Sequence, residues 1–432
     1  MTDVMITDET SVFERRESAV RSYSRVLPGL FDTASGSILR DVRGREYIDF
    51  LAGAGSMNYG HNDPDMRGAL VAHLSRNGIT SSLDLYSEPK RRFLEAFEER
   101  VLVPRHLRYK VQFTGPTGAN AVEAALKLAR KVTGRTNVVA FTNAFHGVSL
   151  GALAATANSH HRMGPEVPLT GVTRMPYDGY VPALDSAALL EQVLTDPSSG
   201  VDAPAAILLE SVQGEGGLNV ASTSWLQRVA KIAATSGALL VVDDIQAGCG
   251  RTGTFFSFEP AGLEPDLVVL SKSLSGFGLP MSVLLIRPGY DAWAPGEHNG
   301  TFRGNNHAFI TARVTLEKFW ASAQLQEDIS RRAQLVTERL QDVGGLVPVS
   351  RVKGRGMMQG LDVGSGELAA RIARRCFEEG LVIETAGNRG QVLKVLAPLT
   401  TPDDLLEEGL QVLGRCAKAA ISHTGATTLH PA

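Results

Sequence analysis

The chain reads as an α/β protein, with a mostly parallel central sheet covered by helices and a smaller α+β part built from both ends of the chain. Three observations predict this. Short, wholly apolar runs recur between about residues 59 and 288: Val138–Phe141, Ala206–Leu209, residues 239–242 and Leu267–Leu270. Runs so short and continuous match strands buried on both faces, as parallel strands are. Stretches with helical apolar spacing, residues 121–130 the clearest, alternate with them, as they do where helices cover a parallel sheet. Finally, 432 residues, 43% hydrophobic and 21% charged, allow two or three domains around a large core.

Taken in order, residues 1–58 read as the N-terminal part of the smaller domain. A polar turn around Gly44, between apolar residues, predicts a hairpin there. Residues 59–304 carry the alternating pattern and form the expected large domain. Residues 305–343 read as a long helical connection. Residues 344–421 read as the C-terminal part of the small domain, with strands at 352–363, 381–384 and 392–396 and a closing helix at 402–416. Thr401 is the expected N-cap of that helix, Pro402 its first-turn residue, and Asp403 and Asp404 suit the positive end of its dipole. The tail, 422–432, is small and polar and is expected to fray. No internal repeat is present.

The chemistry begins at Lys272, which closely follows Leu267–Leu270. Ligands of open α/β sheets gather at the carboxyl ends of strands. A lysine there is partly desolvated, which lowers its pKa and makes it a nucleophile toward aldehydes. On spacing alone, a surface lysine after a strand reads as well. The other apolar runs weigh on the choice. One ends in Asp243, Asp244, Ile245 and Gln246; one ends in Glu210, with Glu215 in a Gly-rich stretch just beyond; one leads to Phe145 and His146. Four strand candidates thus deliver a lysine, an aspartate, a glutamate and an aromatic to what could be one rim. This set matches pyridoxal 5'-phosphate chemistry, which needs a lysine for the Schiff base and an acid for the pyridine nitrogen. Asp243 suits the nitrogen, Gln246 the ring oxygen and Phe145 the ring face. The helix start after Gly115, Pro116, Thr117, Gly118 and Ala119 suits the phosphate.

At these residues the sequence resembles the class III pyridoxal-phosphate aminotransferases. The resemblance runs over about residues 26–400. It rests on Asp49-Phe50 with Gly60-His61, Thr117-Gly118-Ala119, Phe145-His146-Gly147, residues 210–217, residues 243–253, Ser271-Lys272 and Thr301-Phe302-Arg303-Gly304-Asn305. It implies a fold-type I homodimer, or a higher homo-oligomer, with sites at the subunit interface. It implies that Lys272 forms the Schiff base, that Asp243 pairs with the pyridine nitrogen, and that Gly118 and Ala119 bind phosphate. Thr301 would reach the phosphate of the neighbouring subunit. Residues 53–55, 109–118, 174–180, 243–250 and 298–306 are similar to the subgroup acting on L-2,4-diaminobutyrate and 2-oxoglutarate. In that subgroup the product feeds ectoine synthesis in some organisms and siderophores or peptide natural products in others.

The chain also departs from the broader family. Asn120 and Asp244 stand where many members carry glutamate, and Val148 where some carry arginine. Lys394 stands where arginine is usual, and lysine is a point charge where arginine grips a carboxylate bidentately. The resemblance implies that Glu215 pairs with Lys394 when a substrate has no carboxylate to place there, and releases it when glutamate binds. Arg303 and Arg174 are further candidates for a carboxylate clamp. Three functions stay open: transfer to and from diaminobutyrate, an ω-aminotransferase acting on ornithine, lysine or 4-aminobutyrate, or a mutase, decarboxylase or racemase on the same scaffold.

Composition sets outer limits. A net charge of −3 gives no electrostatic case for nucleic acid or an anionic membrane. No apolar run is long enough to span a bilayer, and the polar start lacks the apolar region of a secretory signal, so a cytoplasmic location is expected. The partners expected are amino acids and oxo-acids. Cys249, Cys376 and Cys416 are odd in number and widely spaced, which reads as free thiols. His160-His161 lacks ligands at metal spacing, and no metal is expected. Residues 248–253 fit G-x-G-x-x-G by letter, but residues 243–247 intervene after the strand and a poor helix former follows. Trp225, Trp293 and Trp320 read as packing residues.

Overall fold

A computed structural model describes residues 10–163, 168–347 and 349–422. The first nine residues and the tail from 423 onward, about which the sequence raised expectations, lie outside the described residues.

A seven-stranded sheet forms the centre, in the spatial order Lys110–Phe113, Val283–Ile286, Leu267–Leu270, Leu239–Asp243, Ala206–Leu209, Val138–Phe141 and Val172–Met175. All four apolar runs are strands of this sheet, parallel to one another. One strand departs from the parallel pattern: Val283–Ile286 is antiparallel to both of its neighbours. The sheet is buried on both faces because alternate side chains serve different cores. Val138, Ala140, Leu208, Val241 and Val269 pack with the helix Gly118–Thr133. Val139, Phe141, Leu209, Val242 and Val268 pack in a larger core with the helix Thr223–Ser236. This period of two, apolar at both phases, is why the strands read as unbroken hydrophobic runs.

Two smaller sheets follow from the chain ends. The hairpin expected around Gly44 forms between Ile38–Asp41 and Glu46–Asp49, with Gly44 at φ 81° in the turn. Leu381–Val382 joins this sheet in parallel beside Glu46–Asp49, so both chain ends share it. A second sheet pairs Arg351–Arg355, Met358–Asp362, Val392–Val395 and Glu384–Ala386, all antiparallel. The helical connection is two helices, Asn306–Phe319 and Gln324–Gly344. The closing helix starts one residue later than expected, at Asp403. Thr401 is not its cap: its hydroxyl bonds the Pro398 carbonyl at 2.7 Å and lies 2.7 Å from Ser37 Oγ, while the Pro402 carbonyl accepts the first helical bond, from Leu406.

Arg251 ties these parts together. Fully buried, it donates to Asn58 Oδ1 and to the carbonyls of Met357 and Ala397. The three tryptophans pack as expected; Trp225 and Trp320 are buried, and Trp293 donates to Gln112 at 2.9 Å. All three cysteines are free and buried. Residues 248–253 run as turns and no helix follows them directly.

Candidate active site

The parallel register brings the strand ends to one rim. Asp243 ends its strand, Glu210 follows Leu209, and Lys272 stands two residues past Leu270. Phe145 and His146 follow Phe141 after a short turn.

Lys272 has φ 49°, a left-handed conformation that costs a non-glycine residue about 1 kcal/mol or more. Its Nζ donates to the Ala54 carbonyl at 2.9 Å. That carbonyl is presented by a turn in which Ala52, Gly53, Ala54 and Gly55 all have positive φ, from 46° to 83°. Asp49 holds the turn: its Oδ1 accepts from the amides of Leu51 and Ala52, both at 2.8 Å, and its Oδ2 meets His61 Nε2 at 2.8 Å. His61 therefore supports the turn from behind. Burial lowers the Lys272 amine below its usual pKa, partly opposed by Glu215. Lys272 is thus partly buried at the strand rim and not on an open surface.

Asp243 is buried, and its Oδ2 meets His146 Nδ1 at 2.7 Å. Burial alone would lower the imidazole's pKa, but the Asp243 carboxylate outweighs it and raises it. His146 Nε2 is buried with no protein partner. Glu210 is also buried and accepts from the amides of Phe145, at 3.0 Å, and Gly214, at 3.1 Å. Burial pushes its pKa up to about 7, against the pull of His146. The carboxylate thus fixes the two loops that carry Phe145 and Glu215. The Phe145 ring is half-buried, with its centroid 5.2 Å from that of His161.

A second charged group borders the lysine. Gln246 Nε2 bridges the Ala54 carbonyl, at 3.0 Å, and Glu215 Oε1, at 3.2 Å. Glu215 Oε1 in turn accepts from Lys394 Nζ at 2.8 Å. The same ammonium lies 2.8 Å from Glu384 Oε1, and Tyr23 donates to the other oxygen of Glu384 at 3.2 Å. Lys394 is wholly buried, and the two carboxylates raise its pKa despite that burial. Glu215 keeps about a third of its side chain exposed, at 32%. Burial alone would raise the Glu215 carboxyl, but Lys394 and Lys272 hold it at about 2. Glu384 shifts upward through burial, with Lys394 opposing.

The helix Gly118–Thr133 starts beside this rim. Asn120 Oδ1 reaches back to the Thr117 amide at 3.2 Å and its hydroxyl at 2.9 Å. The amides of Gly118 and Ala119 have no carbonyl behind them in the helix and are open to an anion. A Cβ on Gly118 would come within 2.6 Å of Ile245 Cδ1, so a side chain here would require Ile245, in the loop after Asp243, to shift.

Other expected residues lie elsewhere. Arg303 is not brought to Lys272 within the chain; it pairs with Asp84 at 3.1 Å and donates to the His298 carbonyl. Arg174 donates to the backbone carbonyls of Ala154 and Thr156. Thr301 is exposed, next to Phe302, which is 78% exposed. Sequence reasoning missed the Ala54 carbonyl, Tyr23 and Glu384. The first is backbone and has no side-chain signature. Glu384 could be found only through its register, directly across from Lys394.

The family model for class III aminotransferases matches residues 20–417, nearly the whole chain. The chain belongs to the class III aminotransferases. Among its relatives is the diaminobutyrate--2-oxoglutarate transaminase of Vibrio cholerae, 57% identical over 406 residues, covering 94% of this chain and 98% of that protein. The enzyme of the same name from Halomonas elongata is 50% identical over 420 residues, covering 96% of this chain and 100% of that protein. Among solved structures, the ornithine aminotransferase of Toxoplasma gondii superposes with a TM-score of 0.82 at 26% identity, covering 98% of this chain and 97% of that one, and has pyridoxal phosphate at partial occupancy in its active site. This class III aminotransferase shares with it the mixed α/β fold around a large, mostly parallel sheet.

Proposed function

We propose that this class III aminotransferase moves the terminal amino group between L-2,4-diaminobutyrate and 2-oxoglutarate, giving L-aspartate semialdehyde and glutamate, and reversibly so. The substrate assignment is carried by the 57% identity over 94% of the chain to an enzyme named for that reaction. Residues present in the structure fit pyridoxal 5'-phosphate as the cofactor. His146 Nε2 and Gln246 Oε1 are buried without partners, as polar atoms facing a bound cofactor would be. Lys272 would hold the cofactor covalently, and Asp243 its ring nitrogen. Gly118, Ala119 and Thr301 of a second copy would hold its phosphate, Phe145 would cover the ring, and Gln246 would meet the ring oxygen. When bound, the cofactor supplies an aldehyde for amines and a ring that accepts electron density from carbon.

The remaining work falls to the chain. Lys272, once released from the cofactor, would be a desolvated amine placed to take a proton from the amine-bearing carbon and return it to the carbon on the far side of the nitrogen. Asp243, held by His146, would present its carboxylate to the ring nitrogen. Lys394 receives a carboxylate of glutamate when Glu215 swings out, and Glu215 covers Lys394 when diaminobutyrate is bound. Glutamate leaves as 2-oxoglutarate before the semialdehyde enters, so the kinetics are ping-pong.

The proposal includes a homodimer, with Thr301 contributed across the interface. Exposed Ile79, Leu83, Leu85 and Tyr86 lie on a segment joined to Phe302 and its neighbours by Asn306 bonds to Thr80 and Ser81 and by the Arg303–Asp84 pair. An apolar strip of this kind suits burial against a second copy. The reading also places the enzyme in the cytoplasm; among the described residues, no helix is long and apolar enough to cross a membrane. A donor and acceptor screen tests the function. Diaminobutyrate should be consumed only with an oxo-acid present, with one glutamate formed per turnover. Consumption without an acceptor would indicate a mutase, decarboxylase or racemase instead, and preference for ornithine or 4-aminobutyrate another ω-aminotransferase.

A further inference from the structure

Lys394 faces two carboxylates that differ in freedom. Glu215 sits in the Gly-rich turn 214–217, keeps part of its side chain in solvent, and touches Lys394 through one oxygen. The Glu384 side chain is only 8% exposed and lies directly opposite Lys394 in antiparallel register, so the backbone ladder holds the two positions together. Its second oxygen is occupied by the Tyr23 hydroxyl. One carboxylate can therefore leave the ammonium and the other cannot.

From this we infer that Glu384 is a specificity-determining residue: a fixed countercharge that makes the wall beside Lys272 net negative whenever Glu215 is in place. The inference rests on the reaction proposed above and deepens it. One ammonium against two carboxylates leaves a formal excess of one negative charge. The wall borders the reacting amine, because Lys272 and Gln246 share the Ala54 carbonyl and Gln246 also holds Glu215. A substrate whose terminal amine is at Lys272 and whose other end carries an ammonium is attracted to such a wall. L-2,4-diaminobutyrate has that α-ammonium; 4-aminobutyrate is the same chain without it. The same fixed charge weakens the grip of Lys394 on an arriving carboxylate. Glu384 thus favours the diamino acid and holds the dicarboxylate loosely enough for it to leave.

Glu384→Gln in the cofactor-loaded protein tests this in two arms. The preference in kcat/KM for L-2,4-diaminobutyrate over 4-aminobutyrate should fall roughly threefold or more, the scale of one partly screened charge. Calorimetric binding of glutarate, a dicarboxylate that cannot react, should tighten by a similar factor. Glu384→Asp should restore both toward the original values. A merely structural role would weaken both ligands together. Unchanged preference, or unchanged or weaker glutarate binding, overturns the inference. If the glutamine variant loses its melting transition, Tyr23→Phe is measured instead: withdrawing the hydrogen bond that supports the Glu384 charge should move both arms in the same directions, and no movement in either overturns the inference. If the unaltered protein transfers nothing from diaminobutyrate, the proposed reaction fails, while the glutarate arm still decides the charge argument by itself.

Discussion

Each charged residue of the site is paired with a group that sets its state. Asp243 has its own buried partner, His146, at 2.7 Å. Asp243→Asn keeps the shape and removes the charge. We expect kcat to fall by orders of magnitude while the protein still takes up pyridoxal phosphate, because the lost interaction grows as electron density reaches the ring. A near-normal kcat would mean that another acid serves the ring nitrogen. The neighbouring Asp244 is a different case. It is buried, accepts from the Ser257 amide at 2.9 Å, and has a second oxygen with no partner. Burial pushes its pKa up from 3.8 to about 7. The folded protein therefore binds this proton more tightly than the unfolded chain does. The resulting stability is fully present below about pH 4 and is lost as pH rises to about 7, and the shift of about three units caps it at roughly 4 kcal/mol. Asp244→Asn should flatten the fall in Tm between about pH 4 and about pH 7, leaving a smaller slope from Glu210, whose pKa is raised likewise. An unchanged slope would show that Asp244 is ionised throughout. Asp243 and Lys272 were legible in the sequence because each ends or follows an apolar run. Glu384 and Tyr23 were not, because what places them is cross-strand register and long-range packing.

Among the elements, the left-handed turn Ala52–Gly55 is the least ordinary. Two of its residues are alanines, so the strain is real, and the Asp49–His61 pair holds it. In a right-handed helix, Ala→Gly costs about 0.5–1 kcal/mol. At Ala54, with φ 57°, relief of strain should offset that cost, and Ala54→Gly should leave stability unchanged or raise it by up to about 1 kcal/mol in urea unfolding. A loss of about 1 kcal/mol would mean the turn is not left-handed. The central strands could be read from sequence because burial on both faces leaves no polar phase. The antiparallel direction of Val283–Ile286 could not, since direction is set by which neighbours the strand meets and not by its composition. The closing helix was placed a residue early because Thr401 looks like a cap but is drawn off by Ser37 and Pro398.

At the scale of the whole molecule, Arg251 holds the smaller sheets against the large one by donating to Asn58, Met357 and Ala397. The two smaller sheets and the helices packed on them form, in our proposal, the small domain that both chain ends build. The proposed dimer gives Thr301 a task that its exposure in one chain does not explain. Lys272→Ala and Thr301→Val variants, each poorly active alone, should regain part of the activity when subunits are exchanged, because a mixed dimer holds one intact site. No recovery after verified exchange would mean that each site is built within one chain. The most direct test of the central claim is the fate of nitrogen. The protein, loaded with pyridoxal phosphate, is given glutamate labelled with ¹⁵N and L-aspartate semialdehyde, and the product is analysed by NMR. The account predicts L-2,4-diaminobutyrate with ¹⁵N in the terminal amine alone and an unlabelled α-amine. Label in the α-amine, or no diaminobutyrate at all, would contradict it.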